Sequence, residues 1–257
     1  GIPPPVNNAN CAATLGNYFV EDATLDNIVR GGAGAPIAIV WSAGNMRSIG
    51  SQYCGSIGWT YNTIDPLASA KNVIAVGGVI SNDNSMSTFS SWGPTDDGRV
   101  KPDVCAAGCQ IGGDGGVTST KLVSGYTVSC GTSMAAPVVS GVIALMKGRW
   151  NQTTPSENLM PSTIKGILIN SATDRGTVGP DYQYGHGVVH ALAAVKKVAV
   201  GAPSYVEATM ITGAVHEYAL TVPTGTSKLR VTLVWDDVGG TSISGNALIN
   251  DLDLVLV

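Results

Sequence analysis

Charge is scarce in this sequence. Asp, Glu, Lys and Arg make up 12% of the 257 residues, about half of the ~25% usual in soluble domains. The 14 basic residues form no cluster and the net charge is −4. A nucleic-acid partner calls for a basic face, so that class is excluded. No apolar run reaches the ~18 residues that a membrane-spanning helix needs. The best candidate, 135–146, is interrupted by Pro137, Ser140 and Gly141. A signal peptide with its basic start and apolar middle is also missing, and the start at Gly1 predicts a processed or truncated chain. Disorder is excluded from the other side, because 44% of the residues are hydrophobic. The 33 glycines follow no Gly-X-Y period, which removes collagen. Five cysteines are an odd number. Cys105 and Cys109 have no second Cys or His pair at zinc-finger spacing, so a structural zinc site is not expected. Disulfides suit a secreted protein, but their pairing is not readable from spacing.

What is present alternates between helical and buried-strand patterns. Leu25, Ile28 and Val29 fall at helical spacing in 22–30, and Gly31-Gly32 ends that helix. The runs 36–41 and 72–79 are continuous and apolar, as in strands buried on both faces of a parallel sheet. Residues 133–150 are apolar nearly all round the barrel, which predicts a helix in the middle of a domain. A further helix opens at Pro161, with Ile164, Ile167 and Leu168 on one face, and another spans 187–200. This is the rhythm of a doubly wound α/β domain. After Gly201-Ala202-Pro203 the period changes. Residues 229–235 and 251–255 alternate with period 2, as antiparallel strands do. A boundary therefore falls at 201/202, with an α/β domain over 1–201 and a β-sandwich beginning in 202–257. About 55 residues are too few to complete a sandwich, so that part is expected to be truncated.

Two short segments carry chemistry. Gly131-Thr132-Ser133-Met134-Ala135 opens the central helix, where free backbone N–H groups and the positive end of the dipole gather. A serine there can attack a carbonyl while its own N–H steadies the resulting oxyanion. Taken alone, the segment reads first as a plain helix cap. Ser42-Ala43-Gly44-Asn45 follows the first buried strand, at the carboxyl end where open α/β sheets hold their ligands. The Asn45 amide can donate to an oxyanion, or simply occupy a turn.

Gly131 to Pro137 and Ser42 to Asn45 occur with Phe89-Ser90-Ser91-Trp92-Gly93-Pro94 and Lys101-Pro102-Asp103-Val104. Together this set resembles the subtilisin-like serine proteases, the subtilases, over about residues 20–257. The resemblance implies Ser133 as nucleophile, Asn45 as oxyanion-hole amide, and Ser42, Ala43, Gly44, Gly131 and Thr132 along the substrate. It implies a polypeptide substrate, no required cofactor, and a secreted protein. It also implies that the Ser-Ser-Trp-Gly and Lys-Pro-Asp stretches are structural loops, and that 184–191 enters the last helix of the domain. The family's triad runs Asp, His, Ser along the chain. Here His186, His190 and His216 all follow Ser133, and no Asp-Thr-Gly or His-Gly-Thr precedes Asn45. The general base is therefore expected outside these residues, and the chain alone is expected to be inactive.

Two rivals are open at this stage. Ser133, Asp174 or Asp181, and His186 follow the chain order of an α/β-hydrolase triad, although the nucleophile elbow needs Gly where Ala135 stands. A pseudo-protease or peptide-binding scaffold is the non-enzyme reading. Calcium is weakly signalled by Asp236-Asp237, Asp251 and Asp253, which also suit a solvated strand face.

Overall fold

Seven consecutive residues, Ile74–Ile80, are all buried and form the middle strand of a parallel sheet. The computed structural model describes residues 11, 13–47, 60–154, 158–200, 204–241 and 246–257. In chain order its elements are helix α1 (Val20–Val29), strands β1 (Val40–Ser42), β2 (Ile74–Ile80) and β3 (Val104–Cys109), then β4 (Val117–Thr120) and β5 (Tyr126–Ser129). Helices α2 (Thr132–Thr153), α3 (Pro161–Ser171) and α4 (Ala191–Val200) follow. The sheet order is β1-β2-β3 with both pairs parallel. Parallel neighbours need crossovers of a dozen or more residues, and the stretches 43–73 and 81–103 provide them. The expected α/β class with a parallel sheet is what the chain forms.

One face of the sheet carries the main core. Ile74, Val76, Val104 and Ala106 meet the 135/139/142/146/150 stripe of α2, backed by Ile164 and Leu168 of α3 and Ala194 and Val198 of α4. Each such aliphatic side chain contributes about 1.5–3 kcal/mol on full burial. The other face is smaller: Ala43, Ile64, Ala68 and Ala75 pack with Trp41.

Several expectations are corrected. The strand expected over 36–41 is β1 at 40–42, and its residues are only half-buried because β1 is an edge of the sheet. Helix α2 is not buried all round. Val138 and Leu145 are exposed, Leu145 to 60%. A Cβ added at Gly141 or Gly148 on that side would meet nothing within 4 Å. A helix is buried all round only when neighbours cover every side, and here the sheet and α4 leave Val138 and Leu145 uncovered. The last helix starts at Ala191 rather than 187, because Val188 first bridges Cys105 and Thr173. The antiparallel hairpin β4–β5 is an addition to the expected elements. The boundary tripeptide Gly201-Ala202-Pro203 and Cys54 lie outside the described residues.

The β-sandwich is without support here: the described residues from 204 onward form no hydrogen-bonded ladder. They dock on the α/β domain through polar contacts instead. Lys71 Nζ donates to Asp237 Oδ2 at 2.7 Å and to the Ala247 carbonyl at 2.8 Å. Asn72 and Asp237 exchange bonds of 2.7 and 2.9 Å. Arg230 donates to the Asn170 and Ala172 carbonyls at the end of α3. Asp237 thus spends its carboxylate on Lys71 and on Ile249 and Asn250. Asp251 and Asp253 stand exposed. Among the described residues no group of three or more His, Cys, Asp or Glu could hold a metal ion.

The amino ends of β2 and β3 are tied by a buried charge cluster. Asp103 accepts from Ala75 N–H at 2.7 Å and from Lys101 and Lys165 at 2.8 Å each. Burial pushes its carboxyl up, but the two lysines outweigh burial and hold it at about 2. Burial brings Lys101 down to about 8 against the pull of Asp103. Removing one member strands the others in an apolar interior, which costs about 3–5 kcal/mol. Asp103→Asn should therefore lower urea-unfolding stability by roughly that amount. A loss under about 1 kcal/mol in urea titrations would refute the assignment.

Candidate active site

The loop after β1 is fixed by its neighbours on every side. Ala43 N–H donates to Val76 O at 2.9 Å, which keeps the chain in register with β2 for one more residue. Gly44 then turns with φ 111°, a region open to glycine. Its carbonyl accepts from Ser91 N–H at 2.9 Å, and Met46 N–H donates to Ser91 Oγ at 3.1 Å. The Ser90-Ser91-Trp92 segment is thus a brace under this loop. Ser90 Oγ meanwhile accepts from Gly78 N–H in β2 at 2.9 Å.

The second half of the site arrives on the start of α2. Gly131 N–H donates to Gly108 O in β3 at 2.9 Å. The approach is so close that a Cβ on Gly108 would lie 2.8 Å from the Gly131 carbonyl oxygen. A disulfide from Cys109 to Cys130 closes the same junction covalently, across a separation of 21 residues. Cys11 is also disulfide-bonded, and Cys105 is a buried thiol. Pro137 has no N–H to return to the Ser133 carbonyl, so the first turn of α2 is one bond short at the serine itself.

The two halves meet at Thr132 and Asn45. Asn45 Oδ1 accepts from Thr132 N–H at 2.9 Å and from Thr132 Oγ1 at 3.1 Å. Thr132 Oγ1 accepts in turn from Gly44 N–H at 3.2 Å. With its oxygen held, the carboxamide has one orientation, and its Nδ2 sits beside Gly131. Thr132 is fully buried, whereas Ser133, the next residue, is exposed. The structure therefore gathers Ser42, Ala43, Gly44, Asn45, Gly131, Thr132 and Ser133 at the carboxyl ends of β1 and β3.

The histidines are elsewhere. Gly131 bonds Gly108 near the end of β3, and His186 N–H bonds Asp103 O just before its start, at 3.0 Å. Five residues of strand are roughly 16 Å. Burial, with Lys165 and Arg230, pulls His186 below the ordinary imidazole value against the pull of Asp103. Asp181 is occupied by the N–H groups of Thr177, Gln183 and Tyr184, and Asp174 by that of Gly179. His190 accepts from Ala193 N–H at the start of α4, and His216 contacts Tyr218. The α/β-hydrolase order is thus excluded by geometry.

A matching model of the subtilase family spans residues 7–187. The chain belongs to the subtilase family. This subtilase is 34% identical over 160 residues to subtilisin-like protease SBT6.1 of Arabidopsis thaliana, covering 60% of the chain and 14% of that protein. It is 32% identical over 182 residues to the membrane-bound transcription factor site-1 protease of Mus musculus, covering 66% and 16%. It is 39% identical over 92 residues to C5a peptidase of Streptococcus pyogenes, covering 34% and 7%. The chain therefore spans about a sixth or less of the length of these relatives. The patellamide maturation protease PatA shares the fold with a TM-score of 0.51 and 22% identity, over 70% of this chain and 56% of that one. Subtilases are serine peptidases, and the relationship holds at that family level.

Three structural features of the candidate site carry no sequence signal: the Thr132 side chain as a clamp, Ser91 as a brace, and Asp65. The Asp65 N–H donates to Ala43 O at 3.0 Å. Its carboxyl lies against Gly44, where an added Cβ would collide with the carboxyl carbon. Burial pushes this carboxyl up to about 7. A carboxyl whose pKa is higher folded than unfolded binds its proton more tightly in the folded state. Stability then falls as pH rises from about 4 to about 7. Asp65→Asn should raise the melting temperature at pH 8 by several degrees, and leave it little changed at pH 4. Equal shifts at both pH values in calorimetry would contradict the assignment.

Proposed function

We propose that this chain carries the nucleophile and oxyanion half of a serine endopeptidase site. Ser133 Oγ attacks the carbonyl carbon of a peptide bond. The tetrahedral oxyanion is held by Ser133 N–H and Asn45 Nδ2. The C–N bond breaks, the amine leaves with a proton from the general base, and water then releases the acyl group from Ser133. Of the residues expected along the substrate, Ser42 borders the bound chain, whereas Ala43, Gly44, Gly131 and Thr132 are buried and support the loop and the helix start beneath it. The observation that carries this reading is the pair of hydrogen bonds that Thr132 N–H and Thr132 Oγ1 donate to Asn45 Oδ1. It supports an amide whose donor end is aimed before the reaction begins, which is the requirement for oxyanion stabilisation. In a subtilisin, loss of one such donor costs roughly 10²–10³-fold in turnover.

The reading includes a deficit. Among the described residues no histidine stands beside Ser133, so the proposed general base comes from outside these 257 residues and the chain alone turns over little. The disulfide between Cys109 and Cys130 favours an oxidising compartment, which supports secretion. No described helix is long and apolar enough to cross a membrane.

The purified chain, given a fluorogenic peptide, should show turnover within about twofold of its Ser133→Ala variant. Robust hydrolysis that vanishes in Ser133→Ala would overturn the deficit. In the longer protease with its base present, a fluorophosphonate should label Ser133, and Asn45→Ala should cut kcat by about 10²–10³ with KM little changed. An unlabelled Ser133 there would favour the peptide-binding scaffold instead.

A further inference from the structure

Many of the desolvated carboxylates among the described residues are matched, although Asp22 in α1 keeps one oxygen without a partner; the unmatched one beside the site is Asp65. Asp103 has two lysines, Asp237 has Lys71, and Asp97 has Arg99. Asp26 accepts from the Tyr18 hydroxyl and Asn72 N–H. Asp65 has no Lys, Arg or His partner among the described residues, and desolvation alone acts on it. The arginine nearest in the chain, Arg47, stands over the Trp92 ring at 3.4 Å.

Its position is fixed by the site. The backbone of Asp65 is tied to Ala43, and its carboxyl fills the space in front of Gly44, with both oxygens within 2.7 Å of where a Cβ would be. Gly44 N–H is bonded to Thr132 Oγ1, and the next residue is Asn45. An acceptor carboxylate therefore borders the loop that would hold the scissile carbonyl. A peptide whose carbonyl oxygen reaches Asn45 carries the side chain of that same residue past Gly44. An uncompensated carboxylate there costs stability when ionised, and a cation brought by the substrate removes that cost.

Resting on the serine-endopeptidase reading, we propose that Asp65 is a specificity residue that pairs with the ammonium or guanidinium of a Lys or Arg side chain on the acyl side of the scissile bond. The unpaired acid against Gly44 is then the receiving end of an ion pair completed by substrate. A neutral side chain of similar length leaves the carboxylate unmatched and binds more weakly.

The test uses the 257-residue chain and three small probes: the amides of acetyl-arginine, acetyl-citrulline and acetyl-norleucine. Amide chemical shifts of Gly44 and Asn45 are followed at pH 8 up to about 20 mM probe. Acetyl-arginine amide should give saturable shifts, with citrulline and norleucine at least about tenfold weaker. Asp65→Asn should remove the preference for arginine over citrulline. The citrulline comparison needs no mutation, so a poorly folded variant does not obscure the result. Equal binding of the three probes, or no shift with arginine, overturns the inference. If Ser133 labels in the longer protease while the probes bind equally, the specificity role falls and the hydrolase reading stands. Arginine-selective binding with an unlabelled Ser133 upholds the pairing of Asp65 with a cationic side chain and removes the catalysis.

Discussion

Two hydrogen bonds from Thr132 to the Asn45 side-chain oxygen join the halves of the candidate site at the carboxyl ends of β1 and β3. One half comes off β1 and is braced by Ser91 and Asp65. The other comes off β3 and begins α2. Neither segment has much freedom of its own. Gly44 turns in a glycine-favouring conformation, Gly108 leaves no room for a side chain, and Cys109–Cys130 closes the entry to the helix. The contact between the halves is therefore set by the register of a three-stranded sheet. A carboxamide on a free loop would turn its oxygen and nitrogen at will. Here the oxygen is committed, and that fixes where the nitrogen points.

The opposite end of the same strands is built from charge. Asp103, Lys101 and Lys165 lock the starts of β2 and β3, and Lys71 with Asp237 ties the polypeptide after residue 204 to the domain. A sequence with only 12% charged residues places several of them in buried ion pairs. The α/β unit and the C-terminal stretch thus share one polar seam, in which Lys71 also bonds the Val238 and Ala247 carbonyls. Ion pairs of this kind fix register more than they add stability. That suits a sheet whose strands must present two loops in alignment.

Much of this was legible in the residues. The apolar run ending in Val79 forms the buried middle strand because parallel strands are covered on both faces. Pro161 opens α3 because its fixed φ suits the first turn of a helix. The serine and asparagine segments stand at a helix start and a strand end, where each alone reads as a cap or a turn, and it is the whole motif set, in its resemblance to the subtilases, that singles them out. What failed depended on partners that periodicity does not encode. Leu145 and Val138 look like core residues in any window, yet whether a second layer covers them is a tertiary fact. The 229–235 and 251–255 patterns have the alternation of strands but find no ladder among the described residues. Asp65 carries no motif, and its significance comes only from lying against Gly44.

The account stands or falls on the coupling between Thr132 and Asn45, which a double-mutant cycle measures directly. Unfolding free energies of Thr132→Val, Asn45→Ala and the double variant should be non-additive by about 0.5–2 kcal/mol, because each single change already breaks the shared hydroxyl-to-amide bond. Additivity within about 0.3 kcal/mol would show that the two side chains do not hold each other, and would contradict a pre-aimed amide at this site.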